Sequence, residues 1–226
     1  MIKFYQSILS STPKINISNK DVLLVFDGDS LTRGFNNAGI EQYYPLEVKS
    51  ILEPKVGTLE FYSYGVGGQS TLQMLNDVNS QIYPKVDINK TNILIAWEDV
   101  NAILNDGRTA QQNFNDFETY FSGAKSAGYD YCILLTSYYP RLPVNQPQWG
   151  DRISEQEAYF DLVKNTPLNT VSWDAVIDLR NAEIIGGEKD QSVDGIYFED
   201  SVHLNQIGYD IIVGVVVDKL KEKYIF

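Results

Sequence analysis

Five short apolar runs set the rhythm of the chain. They are Asp21–Asp27 (DVLLVFD), Thr58–Gly65 (TLEFYSYG), Asn92–Trp97 (NILIAW), Tyr129–Ser137 (YDYCILLTS) and Trp173–Leu179 (WDAVIDL). Each is largely apolar at consecutive positions. Such runs are expected of strands covered by helices on both faces. Between them the period changes. Leu75, Val78 and Ile82 recur at helical spacing, as do Phe114, Phe117, Phe121 and Ala124. The last segment carries two adjacent ridges, Ile207/Ile211/Val215 and Ile212/Val216/Leu220. Thr109 with Gln112, and Ser154 with Glu157, both fit a capping box, which predicts helix starts there. The β–α alternation predicts an α/β fold: a parallel sheet with right-handed crossovers, sandwiched between helix layers. No internal repeat, low-complexity tract or long linker interrupts it. One domain over 21–226 is expected, with residues 1–20 as an N-terminal arm.

Composition narrows the function classes. The chain has 226 residues, 43% of them hydrophobic, and a formal net charge of -12. The length supports one well-buried core. The acidity repels phosphate backbones and anionic lipids, so neither nucleic acid nor membrane is an expected partner. Cys132 is the one cysteine and lies in an apolar run, which excludes an intramolecular disulfide and reads as core packing. No stretch approaches the roughly 20 apolar residues of a membrane span. The opening MIKFYQSILSSTPKINIS has no sustained apolar region of the kind a secretory signal carries. The expected location is therefore cytoplasmic, outside the cell by another route, or within a larger particle.

The candidate chemistry begins at LLVFDGDSLTRG, Leu23 to Gly34. Here the first clear strand runs into Gly28-Asp29-Ser30. In open α/β sheets ligands bind beyond the carboxyl ends of the strands, which is where Ser30 falls. A serine hydroxyl needs a base, a group to orient that base, and donors for the oxyanion. His203 is the single histidine, in FEDSVHLNQIGYD, and Asp200 precedes it by three residues. Asp200 can accept from Nδ1 of His203 across one turn, leaving Nε2 for Ser30. That is nucleophile, orienter and base in the order Ser…Asp-x-x-His. Asp29 reads as a brace for the turn. One histidine, one cysteine and no clustered carboxylate spacing imply neither a metal nor a cofactor.

These residues resemble the SGNH hydrolase family, also called GDSL esterases. GDSLTRG at 28–34 matches the nucleophile block, and DSVHLNQIGY at 200–209 matches the Asp-x-x-His block. The resemblance implies a flavodoxin-like three-layer sandwich with five parallel strands. It also implies a serine esterase acting through an acyl-serine. In YSYGVGGQST, Gly65 and Gly68 fit the second block, and Gly68 would offer its N–H to the oxyanion. Ser63 stands where the family has asparagine. The third block, Gly-x-Asn-Asp in the family, meets ILIAWEDVNAIL here. One register sets Asp99 at the glycine, Asn101 at the oxyanion asparagine and Ala102 at the aspartate. Another sets Glu98 at the asparagine and Asp99 at the aspartate. Asn101 is favoured because an amide donates, whereas a carboxylate would repel the developing charge. The expected oxyanion set is Ser30, Gly68 and Asn101.

Trp97, Tyr138, Tyr139 and Trp149 stand near the functional edge, and aromatic faces suit sugars. Asp29, Trp97, Tyr138 and Tyr139 are therefore the expected substrate-binding residues. The expected partner is a small-molecule or glycan ester, acetyl above all, with self-association or membership of a larger assembly left open. A thioesterase or lysophospholipase with the same triad is an alternative reading. So is a non-catalytic glycan-binding or structural module, which the departure in the third block motivates.

Overall fold

The computed structural model describes residues 13–34, 43–138, 152–180, 197–199 and 202–226. All five apolar runs form strands: β2 (Val22–Gly28), β3 (Leu59–Gly65), β4 (Thr91–Trp97), β5 (Tyr131–Thr136) and β6 (Ala175–Asp178). They make one parallel sheet in the order β3-β2-β4-β5-β6. Two residues at each end of the described chain, β1 (Ile15–Asn16) and β7 (Tyr224–Ile225), pair separately and in parallel. Ile17, just after β1, is fully buried, so this part of the expected arm packs onto the end of the chain.

The helices are α1 (Ser30–Arg33), α2 (Tyr43–Leu52), α3 (Thr71–Gln81), α4 (Ala110–Ala127), α5 (Ile153–Asn165) and α6 (Gln206–Lys223). A single π-helical turn spans Asn101–Asn105. The chain steps one way from β2 to β3, then the other way to β4, β5 and β6. With right-handed crossovers, that puts the helices after β2 on one face and α3, α4 and α5 on the other. The packing agrees: α3 touches α4 and α4 touches α5, while α2 packs on α6. The reversal of direction between β2 and β4 is the topological switch point of a doubly wound sheet.

The continuous apolarity of β2 has its reason here, whereas the edge strand β3 is only partly buried along its length. Val22, Leu23, Leu24, Val25 and Phe26 of β2 are all fully buried, as expected of a strand with paired neighbours and both faces covered. Burial of a large apolar side chain contributes roughly 1.5–3 kcal/mol each. Of the two ridges on α6, Ile212, Val216 and Leu220 are the core face, and Ile207 is exposed. Cys132 is buried in β5, and burial pushes its thiol up to about 12.

Thr109 and Gln112 form the expected capping box. Ser154 does not cap: α5 starts at Ile153, with Arg152 at the cap position and no side-chain cap. Tertiary contacts fix that start instead. Arg152 Nη1 donates to the Gly107 carbonyl at 3.0 Å, and Glu155 Oε2 accepts from Ala110 N–H at 2.8 Å.

Candidate active site

The carboxyl ends of β2, β3 and β4 lie in register, Gly28 beside both Gly65 and Trp97. The three turns that follow therefore meet at the switch point. After β2, Asp29 Oδ1 accepts from Leu31 N–H at 2.8 Å and starts the short α1. Gly34 ends it in the left-handed region, its N–H reaching the Ser30 carbonyl. Ser30 is thus presented on a tight strand-to-helix turn. β3 comes close to that turn: a Cβ on Gly65 would lie 2.2 Å from Arg33 N, so only glycine fits.

His203 arrives from far along the chain. Phe198 and Leu204 form an antiparallel bridge, Glu199 N–H reaches the His203 carbonyl, and Asn205 caps α6 through Gly208 N–H. Tyr138 OH donates to the Val202 carbonyl and ties this segment to the end of β5. The outcome is His203 Nε2 at 3.0 Å from Ser30 Oγ. Asp200 lies outside the described residues, as do Tyr139 and Trp149.

Gly68 sits at φ 76°, in a turn that an L side chain adopts only with strain, and a Cβ there would meet nothing within 4 Å. Among the described residues, the backbone N–H groups of Ser30 and Gly68 have no acceptor. Beside Gly68 opens a cleft of about 300 Å³, lined by Val66, Gln69, Gln73, Asn76 and Asp77. A larger hollow, about 580 Å³, runs along the open edge β6 and shares no residue with this site. Ser63 lies within β3, its Oγ buried without a partner among the described residues, so it reaches neither Ser30 nor His203.

The third turn departs most from expectation. Asn101 is buried, and both amide hydrogens are engaged, with Asp29 Oδ2 at 2.8 Å and the Gln69 carbonyl at 3.2 Å. Its Oδ1 accepts from Asn105 Nδ2 at 2.8 Å. Asn101 thus joins the nucleophile turn to the loop that carries Gly68. Glu98, fully buried, faces Thr71, Asn101 and Ala102. Asp99 accepts from Ser137 N–H at 2.7 Å. Three buried carboxyls therefore crowd behind Ser30. Burial pushes Asp29 up to about 7 and Asp99 to about 6, and raises Glu98 well above the usual carboxylate range. Mutual repulsion adds to the shifts of Asp29 and Glu98, while the Leu31 N–H and His203 oppose the rise at Asp29.

Three expected substrate contacts are corrected. Trp97 is 0% exposed and Tyr138 1%, so neither presents a face to a ligand. Trp97 ends a central strand, donates to Ser137 Oγ and packs edge-on to Tyr44 and Tyr138. Tyr138 stacks edge-on to Phe198, from where its hydroxyl holds the His203 segment. Asp29, 1% exposed, is the brace of the turn, its two oxygens accepting from Leu31 N–H and from Asn101 Nδ2.

No protein-family model matches the chain, and no curated protein matches it in sequence. Solved structures do match in fold. A GDSL-like lipase from Bacteroides thetaiotaomicron aligns with TM-score 0.63 at 15% identity, over 88% of each chain. A lipase/acylhydrolase from Enterococcus faecalis aligns at 0.61 and 20% identity, covering 88% of this chain and 95% of its own. The fold is that of the SGNH hydrolases. A variant of an acetyl-xylooligosaccharide esterase from Geobacillus Stearmophilus shares it, with TM-score 0.65, 12% identity and coverage of 90% and 96%. Against the SGNH pattern, the residues that sequence reading missed are Thr71 and Gln69, partners of Glu98 and Asn101. Their part depends on which turns the sheet register brings together, and no motif carries that signal.

Proposed function

We propose that the chain is a serine ester hydrolase of the SGNH type, removing acetyl groups from carbohydrate hydroxyls. The observation that carries this reading is the 3.0 Å contact between Ser30 Oγ and His203 Nε2 at the switch point, beside the open Gly68 N–H. In this reading Ser30 Oγ attacks the ester carbonyl as its proton passes to His203 Nε2. The carbonyl oxygen takes up the negative charge and accepts from the N–H groups of Ser30 and Gly68. Asn101 supplies the third donor by exchanging its longer bond to the Gln69 carbonyl for the substrate oxygen. Collapse expels the sugar oxygen, which takes the proton from His203. Water, deprotonated by His203, then attacks the acyl-serine and releases acetate. Asp200 is assigned the orientation of His203. Each oxyanion donor is worth roughly 3–4 kcal/mol of barrier.

The acetyl-carbohydrate assignment draws support from the substrates named for structural neighbours, an acetyl-xylooligosaccharide esterase and an acetyl xylan esterase. The cleft beside Gly68, small and lined by amide and carboxylate side chains, is in keeping with a polyol. The test is hydrolysis of p-nitrophenyl acetate, octanoate and palmitate beside an acetylated xylooligosaccharide. Acetyl esters should be preferred, and Ser30→Ala should abolish turnover while keeping the fold. Preference for palmitate would replace the deacetylase with a lysophospholipase or thioesterase. Undiminished activity in Ser30→Ala would remove the serine mechanism.

A further inference from the structure

Glu98 occupies the place in the third turn where a carboxylate is least expected, behind an oxyanion site. Its oxygens explain why it is tolerated. Oε2 accepts from both the backbone N–H and the hydroxyl of Thr71, at 2.8 and 2.6 Å. Oε1 accepts from the backbone N–H groups of Asn101 and Ala102, at 2.6 and 3.1 Å. Four donors converge on one fully buried side chain. They come from two separate segments. Thr71 is the first residue of α3, directly after the Gly68–Ser70 turn, and Asn101 opens the π-helical turn. Asn101 then closes the circuit by donating to Gln69 and Asp29.

We propose that Glu98 is a positioning residue that fixes the oxyanion donors of Gly68 and Asn101 relative to Ser30. The proposal rests on the esterase reading above. The carboxylate touches no reacting atom. It clamps the two segments from which those donors project, and the distance between them is set by its two oxygens. A buried carboxyl whose oxygens are taken by four protein donors, and whose charged form burial disfavours, presents little charge to the oxyanion, which removes the objection that a carboxylate here would repel it. An apolar residue of similar size would leave the Thr71, Asn101 and Ala102 donors buried without acceptors.

The test compares Glu98→Gln, Thr71→Val and Thr71→Ser with the wild type. The readouts are p-nitrophenyl acetate kinetics and inhibition by phenylboronic acid. The boronic acid forms a bond from Ser30 Oγ to boron, the serine proton passing to His203, and the tetrahedral adduct places an oxygen among the oxyanion donors. In either orientation, a glutamine amide nitrogen faces an N–H donor. Glu98→Gln should lower kcat about 10- to 100-fold with KM within about twofold. It should weaken phenylboronic acid by a similar factor. Thr71→Val, which removes one donor and keeps the shape, should show the same pattern at about three- to tenfold. Thr71→Ser should recover most of that loss.

A folded Glu98→Gln or Thr71→Val with wild-type kcat and boronate affinity overturns the proposal and leaves the esterase reading standing. A KM rise with kcat unchanged also overturns it, by placing Glu98 in substrate binding. A wild type that neither hydrolyses the ester nor binds the boronate overturns both.

Discussion

Replacing Gly68 by alanine separates a turn from an oxyanion donor. Gly68 sits at φ 76°, and a Cβ there meets nothing within 4 Å, so the substitution brings strain without a clash. Holding an L residue in the left-handed region costs roughly 1–2 kcal/mol. The lost freedom of the unfolded chain returns about 0.4–1 kcal/mol. The net loss of stability is then about 1 kcal/mol, or roughly 2–4 °C in Tm for a chain of this length. Activity should suffer more. The new methyl group projects on the open side of the turn, beside an N–H assigned to the oxyanion, and relief of strain rotates that N–H away from Ser30. Misplacing one such donor should cost about 10- to 100-fold in kcat, less than the roughly 100- to 1,000-fold of outright removal. Thermal unfolding and p-nitrophenyl acetate kinetics measure the two effects on one sample. A variant with the small Tm decrease and an unchanged kcat would refute the reasoning and leave Gly68 as a turn residue only.

Tyr138→Phe should cost about 1 kcal/mol of stability through the lost bond to the Val202 carbonyl. It should also lower kcat about threefold to tenfold as the His203 segment loosens, whereas a sugar platform would show a KM effect alone. Stability should depend on pH through the buried carboxyls. Burial raises Asp27 and Asp29 to about 7 and Asp99 to about 6, from a usual value of 3.8. Each therefore keeps its proton in the folded chain at pH values where the unfolded chain has released it. Their stabilisation is complete below the unfolded value and is lost as pH rises through the folded one. The slope from each is at most about −1.4 kcal/mol per pH unit. Urea unfolding between about pH 4.5 and 7.5 should show a flatter pH dependence for Asp27→Asn than for the wild type. Parallel curves would contradict the assignment at Asp27. Asn101→Ala should lower kcat by about 100-fold or more, since the side chain both clips the turns and supplies a donor. A loss confined to thermal stability would limit Asn101 to the clip.

The core was legible because its physics is local. A strand such as Val22–Gly28, covered on both faces, is apolar from Val22 to Phe26, and a short run of that kind ending in a turn signal reads as a buried strand. Ser30 and His203 were legible because the nucleophile turn and the approach to α6 each carry several dictated residues. What failed was whatever depended on contacts between segments. Trp97 and Tyr138 stand near a strand end in an aromatic-rich stretch, where a buried ring and an exposed platform look alike in sequence. Ser154 offered a capping box, yet with a guanidinium bond from Arg152 to Gly107 the helix starts two residues earlier, at Ile153. Asn101 had the right amide for an oxyanion donor. That both its hydrogens are already held by Asp29 and Gln69 follows from the pairing of β2 with β3 and β4, which no single segment encodes.

The central claim is that Ser30 is a nucleophile activated by His203. Reaction with a fluorophosphonate, followed by intact-mass and peptide mass spectrometry, tests it most directly. The account predicts one adduct per chain, on Ser30, lost in Ser30→Ala and strongly slowed in His203→Ala. An unlabelled wild type, or an adduct on another residue, would contradict it.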